Sequence, residues 1–127
     1  MFEGMNILIA EDDRNFGRIL KTELEASGHV VRLVGDGVAA VLEFMEGKTD
    51  FILLDIRMPR LGGIDALRII KKLDPRPPAI TFSGNAGSEE LADSVRAGAI
   101  RCLTKPFEIA LIREEIEKRE ENDRRLI

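Results

Sequence analysis

The chain contains no tryptophan, no tyrosine, one cysteine and one histidine. A single thiol, Cys102, excludes an internal disulfide and fits a reducing compartment. As a small residue in an apolar run, it reads as buried packing rather than redox chemistry. His29 follows Ser27-Gly28 and has no second ligand at metal spacing, so it reads as a loop residue entering a strand. No apolar stretch approaches the roughly 18 residues of a membrane span. The opening Met1-Phe2-Glu3-Gly4-Met5 lacks the basic region and apolar run of a signal peptide. An excess of basic residues is also missing: the net charge is -4 and the pI about 5.1, so direct nucleic-acid binding is not expected. The glycines at 62, 63, 84 and 87 form no nucleotide fingerprint. The remaining expectation is one soluble cytoplasmic domain of 127 residues, 44% hydrophobic, with a core that needs neither metal nor disulfide.

Short apolar runs alternate with helical patterns along this chain. Ile7–Ala10, Val30–Val34, Phe51–Leu54, Pro78–Phe82 and Ala99–Leu103 read as strands. Between them, Asn15–Ala26 carries Phe16, Ile19, Leu20 and Leu24 at helical spacing and stops at Ser27-Gly28. Val38–Glu46 ends at Gly47, and Ile64, Leu67, Ile70 and Leu73 mark a helix stopped by Asp74-Pro75. After the loop Ser83–Gly87, Ser88 is a cap candidate with Glu89 and Glu90 in the favourable first turn. Leu91, Ala92 and Val95 are the expected inner face of that helix. A last helix runs from about Phe107 to the C-terminus. Continuous apolar strands joined by helices predict a parallel sheet covered on both faces. The expected fold is α/β: a doubly wound, flavodoxin-like sheet of order 2-1-3-4-5 with five flanking helices.

In such sheets the functional crevice lies beyond the carboxyl ends of the strands, where strands 1 and 3 part. Strand 1 leads into Glu11-Asp12-Asp13 and strand 3 into Asp55. Strand 4 leads into Ser83, and strand 5 into Thr104-Lys105. Clustered carboxylates repel unless a cation joins them, and hard oxygen ligands with room for water suit Mg²⁺. A carboxylate beside bound Mg²⁺ can act as a nucleophile toward phosphorus. Positioning and charge neutralisation are the main needs of phosphoryl transfer, and Lys105 and Ser83 supply both. Taken singly, each of these groups has a plainer reading as loop chemistry or a surface lysine. Asp13 is better placed as a cap of the first helix.

Ile7 to Asp13, the run Leu54-Asp55-Ile56-Arg57-Met58-Pro59 with Gly63, Ser83-Gly84, and Leu103-Thr104-Lys105-Pro106-Phe107 together resemble the receiver domain of bacterial two-component response regulators. The resemblance covers about residues 5–117. It implies that Asp55 accepts phosphate from a phosphohistidine on a sensor histidine kinase or a phosphotransfer protein. It implies that Asp12 and Asp55 bind Mg²⁺ with the backbone carbonyl of Arg57, Glu11 acting mostly through water. Ser83 and Lys105 would contact the phosphoryl oxygens, and the peptide before Pro106 would be cis. The face built from helix 4, strand 5 and helix 5 would be the switching surface, used for a partner or for a homodimer. The domain would catalyse only its own phosphorylation and dephosphorylation.

One position departs from the family pattern. Receivers usually carry an aromatic switch residue three positions before the lysine, and Cys102 stands there. Two other readings compete. A Mg²⁺-dependent phosphohydrolase with an aspartyl nucleophile needs a second acid close after it, where this chain has Ile56 and Arg57. A degenerate receiver would be an unphosphorylated interaction module; of the site positions, Cys102 alone favours it.

Beyond the receiver, residues 118–127 read as a charged helical extension. Ile109, Ile112 and Ile116 mark a packed face, but the same spacing then lands on Arg119, Asp123 and Leu126, so the apolar seam fades. Either this is a solvated helix end or it is a linker to an output module.

Overall fold

The structure, a computed structural model, describes residues 4–85 and 87–125, with side chains through Asn122. The opening Met1–Glu3, the loop residue Ala86 and the continuation of the helical seam through Asp123 to Leu126 lie outside these described residues and side chains. The chain alternates strictly: β1 (Asn6–Ala10), α1 (Arg14–Ala26), β2 (Val30–Val34), α2 (Gly37–Glu46), β3 (Phe51–Asp55), α3 (Gly63–Leu73), β4 (Ala79–Ser83), α4 (Ser88–Arg96), β5 (Arg101–Thr104) and α5 (Ile109–Arg125). The strands form one parallel sheet of order β2-β1-β3-β4-β5, as expected.

Strand alternation divides the core. Phe51 and Leu53 of β3 point to one face with Ile7, Ile9, Leu20, Leu24, Ile80, Phe82, Ile112 and Ile116. Ile52 and Leu54 point to the other with Ala40, Leu67, Ile70 and Ala79. Every residue of β3 is buried, which is why it reads as an unbroken apolar run. Ile112 and Ile116 of α5 are fully packed, while Ile109 is half-buried against the same cluster. Among the described residues, no helix is long and apolar enough to cross a membrane.

Three local expectations need correction. First, the N-cap of α4 is Gly87, and Ser88 is the first helical residue without a capping bond. Secondly, the inner face of α4 is not Leu91 and Val95, which are 37% and 60% exposed. Instead Ser94 is fully buried, its hydroxyl hydrogen-bonded to that of Thr81 in β4. A buried hydroxyl is tolerated because the pair satisfies itself. Thirdly, Cys102 is half-buried rather than core, because β5 is an edge strand. The single histidine is more structural than a loop reading implies. His29 is buried, and its Nδ1 accepts the backbone N–H of Met5 at 3.0 Å, tying the start of β1 to the α1–β2 turn. Gly28 in that turn has φ 97°, a left-handed conformation that glycine adopts without strain.

Candidate functional site: an acidic pocket at the switch point

Asp55 is the last residue of β3, and its register partner on β4 is Phe82. The side chain is 7% exposed. Oδ1 accepts the backbone N–H of Arg57 at 3.1 Å, and Oδ2 lies 3.3 Å from the Lys105 ammonium. The chain folds sharply back behind it. A Cβ on Gly63 would sit 2.1 Å from the carbonyl oxygen of Asp55, so no side chain fits there. The Gly63 N–H meanwhile donates to the Ile56 carbonyl at 2.9 Å.

Glu11 and Asp12 come from the end of β1. The Glu11 backbone N–H donates to Val34 at 3.0 Å, which fixes the residue beside the sheet. The Glu11 side chain is fully buried, and its Oε1 lies 2.6 Å from the Lys105 ammonium. Its other oxygen, Oε2, is buried with no hydrogen-bond donor. Asp12 is exposed at the mouth. Asp13 turns away to cap α1, accepting from the N–H groups of Asn15 and Phe16 at 3.0 and 3.2 Å.

Lys105 arrives just past β5, held by its N–H on the Ser83 carbonyl at 2.8 Å and followed by a cis bond to Pro106. Its ammonium stands 4.7 Å from the Phe16 ring centroid and 5.3 Å from that of Phe82. These rings, packed edge to face with Phe107 nearby, form the apolar wall along which the lysine reaches the acids. Ser83 is fully buried, and its hydroxyl accepts the Asn85 N–H at 3.3 Å.

The electrostatics follow from this geometry. Burial, and then the neighbouring Asp55 carboxylate, push Glu11 up to about 8 against the pull of Lys105. Burial opposes the charge on Lys105, but Glu11 and Asp55 together outweigh it and raise the ammonium above its ordinary value. The pocket therefore gathers more carboxyl groups than one lysine can keep ionised. Ligand oxygens of Glu11, Asp12 and Asp55 lie within 4.8 Å of one another. Oxygen-only donors, a buried carboxylate oxygen without a donor and an acid driven toward its neutral form all fit a hard divalent cation.

Of the residues singled out from sequence, the structure brings Glu11, Asp12, Asp55 and Lys105 together. Ser83 is tied to Lys105 through its backbone carbonyl, while its hydroxyl accepts the Asn85 N–H. The Arg57 side chain points elsewhere: Nη2 lies 2.5 Å from Glu90 Oε1 on α4 and 3.4 Å from the Asn85 carbonyl. Sequence reasoning missed this pair, because Glu90 reads only as a first-turn acid. It also missed Phe16 and Phe82 as the lysine's flanks, because helical and strand spacing assign both simply to the core.

A parallel 2-1-3-4-5 sheet with an acid pocket and a lysine at its switch point defines a class of signalling domain. Residues 7–117 match the family profile of the response regulator receiver domain, and the chain belongs to that family as the receiver domain of a two-component response regulator. Among curated proteins it is similar to the uncharacterized transcriptional regulatory protein YkoG of Bacillus subtilis, 34% identical over 104 residues, which are 82% of this chain and 46% of that protein. It is also similar to the transcriptional regulatory protein RprY of Bacteroides fragilis, 31% identical over 107 residues, 84% of this chain and 45% of the other. The chain thus spans less than half the length of these relatives. Among solved structures, a CheY-like receiver domain protein from Methanospirillum hungatei superposes with a TM-score of 0.90 at 25% identity, covering 98% of this chain and all of that one. The receiver domain of sensor histidine kinase PA1611 from Pseudomonas aeruginosa, solved with a magnesium ion coordinated in its active site cleft, gives 0.82 at 32% identity, covering 91% of this chain and 96% of the other.

Proposed function

We propose that Asp55 accepts a phosphoryl group from the phosphohistidine of a sensor histidine kinase or phosphotransfer protein. The observation that carries this reading is the placement of Asp55, nearly buried at the end of β3, 3.3 Å from Lys105 and beside Glu11 and Asp12. An Asp55 oxygen attacks phosphorus, the phosphorus–nitrogen bond breaks, and the departing imidazole keeps the electron pair and takes up a proton. Lys105 contributes charge to the transferred oxygens, and Ser83 a hydroxyl donor. Glu11 keeps the lysine in place through the 2.6 Å contact. Asp12, Asp55 and the Arg57 carbonyl would hold Mg²⁺, with Glu11 acting through water, and the ion when bound neutralises charge on the phosphoryl group. Water attack on the same phosphorus later returns the free carboxylate, so the chain works on itself rather than on a separate substrate. A phosphohydrolase would need a second acid after the nucleophile, and position 57 carries an arginine whose side chain leaves the pocket for Glu90.

Phosphorylation would then bias the face formed by α4, β5 and α5 for a partner or for a second copy, and the outward Leu91 and Val95 supply apolar surface on α4. Residues 118–127 are proposed as a helical extension of the 5–117 receiver toward an output module, in keeping with the partial coverage of its relatives.

The test is incubation with Mg²⁺ and acetyl phosphate. An acid-stable, alkali-labile adduct of about 80 Da, absent from Asp55→Asn, is the expected product. No adduct on the unmodified chain, or equal labelling of Asp55→Asn, would overturn the assignment.

A further inference from the structure

The Arg57 side chain is 64% exposed and bridges two parts of the molecule that phosphorylation must connect. Its own backbone N–H donates to the acceptor carboxylate, Asp55 Oδ1, at 3.1 Å. Its guanidinium reaches α4 and the loop before it, bonding Glu90 Oε1 at 2.5 Å and the Asn85 carbonyl at 3.4 Å. For Glu90 this contact matters more than for a fully solvated acid: its side chain is 30% exposed, and its Oε2 is buried with no donor. The rest of α4 is lightly held. Leu91 and Val95 face outward, and its one buried side chain, Ser94, is fixed by a hydroxyl pair with Thr81 rather than by apolar packing.

We propose that Arg57 is a phosphoryl-sensing residue whose guanidinium exchanges the Glu90 carboxylate for the phosphoryl oxygens on Asp55, releasing the first turn of α4. This inference rests on the phosphoacceptor reading of Asp55. The chemistry favours the exchange. A guanidinium binds a phosphoryl dianion through two parallel N–H···O bonds, whereas here a single guanidinium nitrogen contacts Glu90. A half-exposed ion pair is a weak restraint, so a neighbouring dianion competes with it readily. Once the arginine leaves, Glu90 keeps a carboxylate partly removed from water and stripped of its guanidinium donor, and α4 relaxes to rehydrate it. Arg57 acts as a positioning residue for α4, and the exchange gives this chain a route from Asp55 to its surface that does not pass through position 102.

Hydrogen exchange of the α4 amides, read by mass spectrometry on unlabelled and acetyl-phosphate-labelled protein, tests this. Labelling should raise exchange over residues 89–97 by roughly two- to fivefold, the opening expected from losing one exposed pair. Unlabelled Glu90→Gln should already exchange like the labelled unmodified chain and gain nothing further on labelling. Arg57→Lys, read on its labelled fraction, should show a smaller rise, because a lysine keeps the charge but cannot pair twice. If unlabelled Glu90→Gln is as protected as the unmodified chain, or if it still rises equally on labelling, the exchange is wrong. Absence of any adduct would sink the Asp55 reading instead. The unlabelled comparison would still judge the Glu90 restraint.

Discussion

The Lys105 ammonium lies closer to Glu11, at 2.6 Å, than to Asp55, at 3.3 Å. The lysine therefore has two tasks: it compensates a fully buried acid and it faces the acceptor. Removing it leaves Glu11 and Asp55 opposed. Lys105→Met is predicted to lower stability by about 1–2 kcal/mol, below the cost of breaking a fully buried pair because the lysine is part-exposed. Glu11→Gln in the same chain removes the buried carboxyl group left facing Asp55 without its ammonium and should recover most of that loss. Urea unfolding of the two single variants and the double variant checks this, and simple additivity would contradict it. Labelling of Lys105→Met should fall even where the fold persists.

Gly63 is predicted to be replaceable only at high cost. An added methyl would meet the Asp55 carbonyl oxygen at 2.1 Å, against backbone that cannot swing aside as a flexible side chain would. Gly63→Ala should lose about 2–3 kcal/mol and slow labelling together, because the shift needed to admit the methyl moves the acceptor itself. Thermal melts compared with Gly35→Ala provide a control for glycine replacement, because nothing lies within 4 Å of the added carbon there.

His29 gives the protein a definite pH response. Burial lowers its pKa, so the folded state holds the neutral ring that accepts the Met5 N–H. The unfolded chain binds the proton more readily, so this contribution is fully present above about 6.5 and is lost as pH falls from there toward the lowered folded value. Glu11 runs the other way: its folded pKa is raised to about 8, so the folded state binds the extra proton and stability falls as pH rises from about 4.5 toward 8. The difference between the unmodified chain and His29→Gln cancels the Glu11 part. That difference should shrink from pH 7.5 to pH 5.5, measured by urea midpoints, and a constant difference would contradict the assignment.

Cys102 sits half-buried in β5 opposite Thr81, where receivers usually carry an aromatic residue. Cys102→Tyr is predicted to leave labelling of Asp55 intact, since the thiol belongs to none of the pocket contacts. It should change partner binding or self-association on the α4–β5–α5 face, measured by sedentation of labelled and unlabelled protein in the ultracentrifuge and by kinase pull-down. Loss of labelling would count against the separation of position 102 from the pocket.

The strand order and the pocket were legible because both rest on strong signals. Buried parallel strands read as unbroken apolar runs, and the acids and lysine stand directly at their ends. What escaped was carried by polar side chains used against their usual habit. Ser94 faces inward because Thr81 completes its hydrogen bond, so the apolar spacing of Leu91 and Val95 pointed to the wrong face of α4. Glu90 reaches a residue 33 positions away, and no local pattern encodes that partner. The neighbours of Lys105 were hidden for a related reason: Phe16 and Phe82 are core residues first, and only the third dimension puts an ammonium beside their rings.

The central claim is that Asp55 is the phosphoacceptor of this receiver. Intact-mass measurement after incubation with acetyl phosphate and Mg²⁺ addresses it most directly. One adduct of about 80 Da, mapped to Asp55, removed by EDTA in the reaction and absent from Asp55→Asn, is the predicted result. A chain that stays unlabelled with Mg²⁺ present, or an adduct that survives Asp55→Asn, would contradict it.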